Sequence, residues 1–368
     1  MRIQQIRAMA RKEWWHLFRD PRSLALMLLM PSMLLFLFGY AIRLDVVEAP
    51  IGVLQESHDS LANDLLARIE ASHAFHVVAH FNNRRQLKQA IQDGTVWAAL
   101  VIPHSYAADL IQGKAKLQLI LDGVDANSAR LVRNYLLGLI NDYAMTLNGA
   151  QPPIQLEDRT WYNESKESRY AIMPGVIAIV MAVIGALMTS LTVAREMELG
   201  NLVMLRTTPL TRGEFLVGKL TPYLVIGTLD LLAAVAAAVY IFDVPLRGPF
   251  LGLALVSVLF LLVVSMQGAL ISLIAGNQLL ASQMALISTF LPAFLLSGFI
   301  FAIQNMPAVL QYLTLIVPAR YFVTLSKAIF LKGTTPFLLW GELTALCVMT
   351  VLLAAVLFAR SKKLGLLK

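Results

Sequence analysis

The fold class follows from the uncharged stretch of residues 248–319, which reads GPFLGLALVSVLFLLVVSMQGALISLIAGNQLLASQMALISTFLPAFLLSGFIFAIQNMPAVLQYLTLIVPA. It contains no Asp, Glu, Lys or Arg, and it is several times longer than the roughly 20 residues that one helix needs to cross a bilayer. The stretch must therefore turn back on itself. The polar break Gly276-Asn277-Gln278 divides it into predicted spans near residues 250–275 and 279–303.

Further apolar runs complete a set of six predicted spans. Residues 24–42 and 171–194 carry no charged side chain, 220–242 carry only Asp230, and 336–359 carry only Glu342. The composition agrees, because Asp, Glu, Lys and Arg make up 14% of the chain against roughly 25% of an average soluble domain. We expect an α-helical integral membrane protein with six transmembrane helices, the last four within residues 220–359.

The distribution of charge predicts the orientation in the membrane. Segments 1–23, 195–219 and 360–368 together hold 14 of the 30 Lys and Arg residues and only five acids, whereas segment 43–170 holds 12 basic and 15 acidic residues. Lys and Arg are enriched in cytoplasmic loops, so both termini are expected in the cytoplasm and segment 43–170 outside. The net charge of +7 then reports topology and not a nucleic-acid partner. The cationic region and the apolar region within residues 1–42 are both longer than those of a usual secretory signal. The first helix is therefore expected to remain uncleaved.

Segment 43–170 reads as an α/β domain inserted after the first helix. Strand-like runs alternate with helical patterns; the predicted strands are 51–54, 75–79, 96–102 and 117–121, and the predicted helices are 61–69, 84–91, 106–111 and 129–147. The single cysteine, Cys347, permits no internal disulfide. His76 and His80 are expected on one face of a strand and His73 on the other, without a carboxylate or cysteine at metal-ligand spacing.

Segment 195–219 mixes charge with apolar side chains at helical spacing. Two interpretations stay open: an interfacial helix that presents a polar face to a soluble partner, and a basic loop that only sets topology. Within it, Gly213 and Gly218-Lys219 fit part of a phosphate loop, but Leu220 stands where Ser or Thr should bind magnesium and no strand precedes the glycines. We therefore expect the chain itself to bind no ATP or other cofactor.

The same segment resembles a known family. The matching residues are Arg195-Glu196-x-Glu198-x-Gly200, Thr208-Pro209-Leu210 and Gly218-Lys219-Leu220-x-Pro222-Tyr223. This pattern resembles the signature loop of ABC-2 type permeases, the membrane subunits of ATP-driven exporters. Three more motifs resemble the bacterial multidrug or efflux subgroup with a large periplasmic domain after the first helix: Arg11-Lys12-Glu13 with Arg19-Asp20-Pro21-Arg22, Asp122-Gly123-x-Asp125-x-Asn127, and Tyr170-x-x-x-Pro174-Gly175. Family members usually have Gly-Thr followed by a Glu in this loop, whereas this chain has Gly200-Asn201 followed by Met204.

The resemblance implies partners and roles for several segments. It implies a permease in the bacterial inner membrane that works as a homodimer or heterodimer with a cytoplasmic ABC ATPase dimer, and that ATPase would bind ATP and Mg. A periplasmic adaptor protein and membrane lipids are further expected partners, and nucleic acid is not. Residues 1–23 would form an amphipathic connecting helix, 195–219 a coupling-helix loop, and about 304–335 an outer re-entrant segment. The residues expected to touch the ATPase are Arg195, Glu196, Glu198, Leu199, Leu202, Leu205, Arg206 and Pro209.

The resemblance also implies a substrate path along the second and fifth spans. The candidate residues there are Met173, Met181, Met188, Gln283, Met284, Phe290 and Phe294. Methionine adapts to varied apolar shapes and aromatic faces attract organic cations, which suits a lipophilic or drug-like substrate; ordinary helix packing explains the same residues equally well.

Asp230 is a further candidate for the path, because a carboxylate near the middle of a membrane costs roughly 2.5–3.5 kcal/mol and is usually functional or paired. It could bind a proton or cation, or form a structural hydrogen bond. Two other functions therefore stay open: a proton-coupled secondary efflux carrier that uses Asp230, and a non-transporting membrane sensor or scaffold. Against the carrier, the helices show no internal repeat.

Overall fold

The computed structural model describes residues 2–41, 48–124, 126–147, 162–163 and 167–363, and only the backbone of residues 22–24, 26–28, 41, 126–127, 202–203 and 206. The chain divides into two compact units. One consists of Met1–Ile42 with Thr160–Lys368, and the other of Arg43–Arg159. The second unit begins where the sequence predicts the inserted domain and ends before the predicted residue 170.

Two helices open the first unit. Helix α1 (Ile3–Arg19) is amphipathic: Met9, Glu13 and Leu17 are buried at a spacing of four residues, while Trp15 and Phe18 are exposed. Helix α2 (Pro21–Ala41) continues through Pro31 and covers nearly all of the predicted first span. Its described apolar side chains extend over Leu29–Tyr40.

The inserted unit is an α/β layer, as predicted. Its elements are β1 (Ala49–Gln55), α3 (Ser60–Glu70), β2 (Phe75–Phe81), α4 (Arg84–Gln92), β3 (Ala98–Ile102), α5 (Tyr106–Ile111), β4 (Gln118–Leu121) and α6 (Ala126–Leu147). The strand order is β2-β1-β3-β4, with β1 parallel to β2 and β3, and β4 antiparallel to β3. Strand β3 is buried along its whole length because apolar clusters pack on both faces of the sheet.

The predicted placement of the β2 histidines is wrong. His76 lies opposite Pro50 and His80 opposite Val53, with a register shift between them, so the two exposed side chains are on opposite faces of this edge strand. His80 Nε2 lies 3.3 Å from Glu70 Oε1. Within the described parts of the chain, no three or more His, Cys, Asp or Glu side chains come together in a way that could hold a metal ion.

Among the residues that the structure describes, five helical segments are long and apolar enough to cross a membrane, and they correspond to the predicted second to sixth spans. They are α7 (Ser168–Glu198), α9 (Arg212–Tyr240), α10 (Phe250–Ala275), the continuous pair α11 (Gln278–Ala285) and α12 (Leu291–Leu296) joined by a π-helical turn (Leu286–Phe290), and α15 (Trp340–Lys363) with the 3-10 turn before it. The short helix α8 (Asn201–Arg206) lies between α7 and α9.

The predicted re-entrant segment contains a bent helix pair. Helix α13 (Ala308–Thr314) and helix α14 (Pro318–Lys327), with its π-helical extension to Lys332, meet at 85°. Arg320 holds the bend, because its guanidinium donates to the Gln311 carbonyl at 3.3 Å and to the Thr314 hydroxyl.

Helix ends agree with the sequence in one place and differ in two. The predicted break after α10 is confirmed: Gly276 adopts φ +72° and the Asn277 side chain accepts from the Leu280 N–H at 2.8 Å, which starts α11. The predicted fifth span to residue 303 is too long, because the helix ends at Leu296 and Gly298 turns the chain with φ +79°.

The predicted loop 195–219 is also mostly helical. Helix α7 extends to Glu198, and α9 begins at Arg212. The Thr211 N–H donates to Glu214 Oε2 at 2.9 Å and the Glu214 N–H to Thr211 Oγ1 at 3.4 Å, a capping box that fixes the start of α9. The connection between the two long helices is therefore only residues 199–211.

Helix α7 forms the centre of the membrane unit. In its most apolar stretch of 18 residues, 89% of the residues are buried by the rest of the chain, compared with 11% in the corresponding stretch of α15. Its closest neighbour is α10, where a Cβ atom on Gly268 would lie 2.1 Å from Thr189 Oγ1 and 2.3 Å from the Ala186 carbonyl oxygen. Small residues at this crossing let two backbones approach, as is typical of helices in lipid.

Candidate functional site at the junction of α1, α7 and α9

A buried cluster of charges joins these three helices. Lys219 Nζ on α9 lies 2.6 Å from Glu13 Oε1 on α1 and 3.3 Å from Glu196 Oε1 on α7, and Lys12 Nζ lies 2.7 Å from the same Glu196 oxygen. The Lys219, Glu13 and Glu196 side chains are at most 5% exposed. Two cations and two carboxylates balance each other, so the cluster is neutral while each charge depends on its partners.

The glycine before Lys219 lets α1 reach this cluster. A Cβ atom on Gly218 would lie 2.7 Å from Met9 Cβ and 3.1 Å from the Ile6 carbonyl oxygen. Gly213, Gly218 and Lys219 all lie within α9, so the residues that resemble part of a phosphate loop are helical. Their role here is close helix packing, and the lysine amine is bound by carboxylates.

A second set of polar contacts fastens the end of α7. Arg195 Nη2 donates to Asp20 Oδ2 at 2.9 Å, and Arg195 Nε donates to Gln278 Oε1 at 3.1 Å. Gln278 in turn donates to Glu198 Oε2 from its backbone N–H at 3.2 Å and from Nε2 at 3.0 Å. The contacts link α7 to the α1–α2 corner and to the start of α11.

The connection between α7 and α9 presents an exposed surface. Leu199 is 60% and Met204 73% exposed, and Glu198 and Pro209 are exposed as well. Leu205 is half-buried. The side chains of Leu202 and Arg206, which the sequence predicts at a partner surface, lie outside the described residues.

One prediction for this surface needs correction. Glu196 is predicted to touch a partner, but its carboxylate is buried against Lys219 and Lys12. It therefore lies within the junction and not on the exposed surface. Arg195 is half-buried and engaged with Asp20 and Gln278.

An apolar groove lies beside the exposed connection. It has a volume of about 260 Å³ and is lined by Gln5, Ala8, Met9, Lys12, Leu205, Thr208, Pro209 and Leu210. Gln5 Nε2 donates to the Pro209 carbonyl at 3.3 Å, and the Arg2 N–H donates to Glu214 Oε1 at 2.6 Å. Helix α1 and the connection thus form one continuous surface.

The predicted substrate-path residues differ in exposure, and Phe290 and Phe294 pack against the apolar cluster that contains the three α7 methionines. Met173, Met181 and Met188 are buried in α7, whereas Gln283 and Met284 are exposed on α11. Phe290 and Phe294 are half-buried. Their ring centroids are 5.6 Å apart, and the Phe294 ring also packs against Phe38 and Phe299.

Asp230 lies elsewhere, against α2. It is 7% exposed and borders a small cavity of about 50 Å³ with Pro31, Ser32, Leu35 and Phe36 among its lining residues. Its Oδ2 atom has no hydrogen-bond partner among the residues that the structure describes. In this chain Asp230 is thus on the α2–α9 contact, and the described residues that line its cavity all belong to these two helices.

The sequence comparison decides the family. A family model described as "ABC-2 family transporter protein" matches residues 22–359. This chain belongs to the ABC-2 transporter family. The ABC-2 protein is 37% identical over 367 residues to the "Probable multidrug ABC transporter permease YbhS" of Escherichia coli K12, with 98% of this chain and 97% of the relative covered.

Two further relatives agree. The "Probable multidrug ABC transporter permease YbhR" of the same organism is 30% identical, with 96% of this chain and 97% of that protein covered. The "Inner membrane transport permease YhhJ" of Escherichia coli K12 is 24% identical, with 71% of each chain covered. With its long apolar helices, this ABC-2 protein is a multi-pass membrane protein.

Sequence reasoning missed Glu13 and Lys219 as partners across the junction of this ABC-2 protein. The sequence features that could have identified them are a lysine just before an apolar span and a glutamate on the apolar face of an amphipathic helix. Neither position tolerates an unpaired charge.

Proposed function

We propose that this ABC-2 protein is the membrane-spanning subunit of an ABC exporter that moves a lipophilic or drug-like compound out of the cytoplasm or the inner leaflet. The energy comes from ATP hydrolysed by a separate ATPase subunit, and two permease copies or paralogues act with an ATPase dimer. The similarity to YbhS and YbhR, each described as a probable multidrug ABC transporter permease, supports this proposal. The charge distribution supports cytoplasmic termini and a periplasmic α/β unit.

The observation that carries the proposal is an exposed connection whose two flanking helices are joined to α1 by buried ion pairs. Residues 199–211 present Leu199 and Met204 outward, while the helices on either side are joined to α1 through Lys219, Glu13 and Glu196. A partner that pushes on the connection moves α1, α7 and α9 as one body. Such rigid-body displacement is a common way to pass a ligand-driven closure to a distant site.

The substrate path in this proposal follows the outward face of α11. Gln283 and Met284 are exposed there, so a second permease copy facing α11 would enclose a mainly apolar passage. Phe290 and Phe294 lie farther along the same span.

Coupling is tested at the exposed connection. We expect Leu199→Asp and Met204→Asp each to reduce substrate-stimulated ATP hydrolysis at least tenfold when the permease is reconstituted with its cognate ATPase, because each places a charge in an apolar contact. Val124→Asp, at a position 93% exposed in the other unit, is the matched control and should leave stimulation unchanged. Normal stimulation in both loop variants would reject the proposed ATPase surface.

Asp230 separates ATP-driven export from a proton-coupled carrier. We expect Asp230→Asn to keep ATP-dependent transport in vesicles within about twofold of the unchanged chain, because a buried carboxylate among apolar residues carries an electrostatic cost that the amide does not. A carrier that uses Asp230 would instead lose uptake driven by a pH gradient in this variant. Transport driven by a pH gradient without ATP, abolished by Asp230→Asn, would contradict the exporter proposal.

A further inference from the structure

Helix α1 has an exposed face opposite the one that it buries. The buried side chains recur every four residues, and a position two residues before or after a buried one lies about 200° around the helix axis. Arg7, Arg11 and Trp15 occupy such positions, and all three are exposed. Phe18 and Arg19 are exposed as well and extend this face by one turn. We call these five residues the outer face of α1.

The outer face is basic. The only acidic residue within α1 is Glu13, which lies on the buried face and is paired there. Among the residues that the structure describes, Arg7 and Arg11 form no ion pair. The Arg19 guanidinium lies 5.8 Å from the centre of the Trp15 ring. The face therefore carries three positive charges that a negatively charged partner would complement.

The outer face is also partly apolar, at the end that leads to α2. Trp15 is 56% and Phe18 64% exposed, and the Phe18 ring stacks on Trp14 with the ring centroids 5.5 Å apart. Only Asp20 separates α1 from α2, so the two exposed rings lie next to the segment that the sequence predicts as the first span. Tryptophan is enriched at the boundary between water and membrane.

A membrane surface with negative headgroups fits both properties. Arginine binds phosphate through two parallel hydrogen bonds, and basic residues beside a membrane-spanning helix are attracted to leaflets that contain anionic lipids. A zwitterionic lipid complements three guanidinium groups less well, because its cationic group offsets its phosphate. We propose that the outer face of α1 binds anionic phospholipids, with Arg7 and Arg11 on headgroup phosphates and the Trp15 and Phe18 rings at the level where the acyl chains begin.

Tryptophan fluorescence of the full-length permease in phosphatidylcholine nanodiscs tests this surface. Four substitutions leave Trp15 as the only tryptophan, and they are Trp14→Phe, Trp97→Phe, Trp161→Phe and Trp340→Phe. Lipids with brominated acyl chains quench an indole that they contact. We expect brominated phosphatidylglycerol to reach half-maximal quenching at a roughly two- to tenfold lower mole fraction than brominated phosphatidylcholine. The difference should shrink as salt rises from about 0.1 M to about 1 M, because the Debye length then falls from about 10 Å to about 3 Å.

Two sets of charge substitutions separate this face from general attraction to basic residues. Neutralising the outer face should make the two lipids equal, and the changes are Arg7→Gln, Arg11→Gln and Arg19→Gln. The matched control removes three charges from the exposed end of α15 and should leave the preference at Trp15 unchanged; its changes are Arg360→Gln, Lys362→Gln and Lys363→Gln.

Several results would overturn the proposal. They are equal quenching by the two lipids with the arginines present, little quenching by either lipid, and a preference that survives the outer-face substitutions or disappears equally with those on α15. An arginine variant that loses ATPase binding but keeps the lipid preference would assign the face to the ATPase. If the variant with one tryptophan is not monodisperse, bimane on Gln4→Cys in a Cys347→Ser background replaces the reporter, since Gln4 is exposed on the same side of α1. The lipid measurement contains no ATPase, so its result is independent of the proposed export function.

Discussion

We expect Lys219→Met to lower the free energy of unfolding of the permease by about 3–5 kcal/mol, the cost of removing one partner of a buried ion pair. The substitution keeps the length of the side chain but leaves Glu13 and Glu196 without the amine that lies 2.6 Å and 3.3 Å from their oxygens. Lys12 contacts only Glu196 of this pair and is 36% exposed, so it does not compensate. Thermal unfolding followed by size-exclusion chromatography measures the loss.

A charge-balanced variant distinguishes electrostatics from packing. Glu13→Gln and Glu196→Gln combined with Lys219→Met should recover most of the loss, because no buried charge is then unpaired. Lys12→Met is the matched control at the partly exposed lysine, and we expect it to cost less than about 1 kcal/mol. A triple variant as unstable as Lys219→Met alone would show that the cluster stabilises by shape and not by charge.

We expect Gly268→Val to abolish recovery of monodisperse permease. The Cβ atom would overlap the Ala186 backbone carbonyl at 2.3 Å and Thr189 Oγ1 at 2.1 Å, and a backbone atom cannot move aside as a flexible side chain can. Overpacking of a core by a methylene or two usually costs 1–3 kcal/mol, and separating α7 from α10 adds lost contacts along both helices. Gly268→Ala should show the same defect in weaker form, read as a lower melting temperature.

Gly341→Ala provides the comparison within the same protein. Gly341 lies in α15, and a Cβ atom there would meet nothing within 4 Å. Its melting temperature should stay equal to that of the unchanged chain or rise slightly, since Ala is the better helix former. Equal behaviour of Gly268→Ala and Gly341→Ala would argue against the close α7–α10 crossing.

Local sequence patterns were sufficient to predict much of this fold. The strands and helices of the inserted unit follow the alternation in the sequence, and the break at Gly276-Asn277 follows from a conformationally permissive glycine and a side chain that caps the next helix. Family membership could also be predicted, because the motifs that carry it are contiguous.

Contacts between distant residues could not be predicted in the same way. Arg195, Glu196 and Glu198 read as a polar loop, yet they extend α7 because their partners lie far along the chain: Lys12 is 184 residues from Glu196, and Gln278 is 80 residues from Glu198. A hydropathy scale gives a charged residue the same value whether or not it has an ion-pair partner, so it could not show that these residues continue the helix. The burial of the three α7 methionines depends likewise on the helices that surround them.

The burial of α7 has a consequence for how the protein is made. Translation delivers α7 before α9, α10 and α11, so the nascent helix meets lipid around most of its circumference until those later helices arrive. Since lipid is as apolar as the α7 side chains, their enclosure gains little hydrophobic free energy and depends on close contact. A chain that ended after α9 would therefore have α2 and α9 beside α7 but not its main neighbour, and we expect α7 to reach its native packing only when α10, with Gly268, has been made.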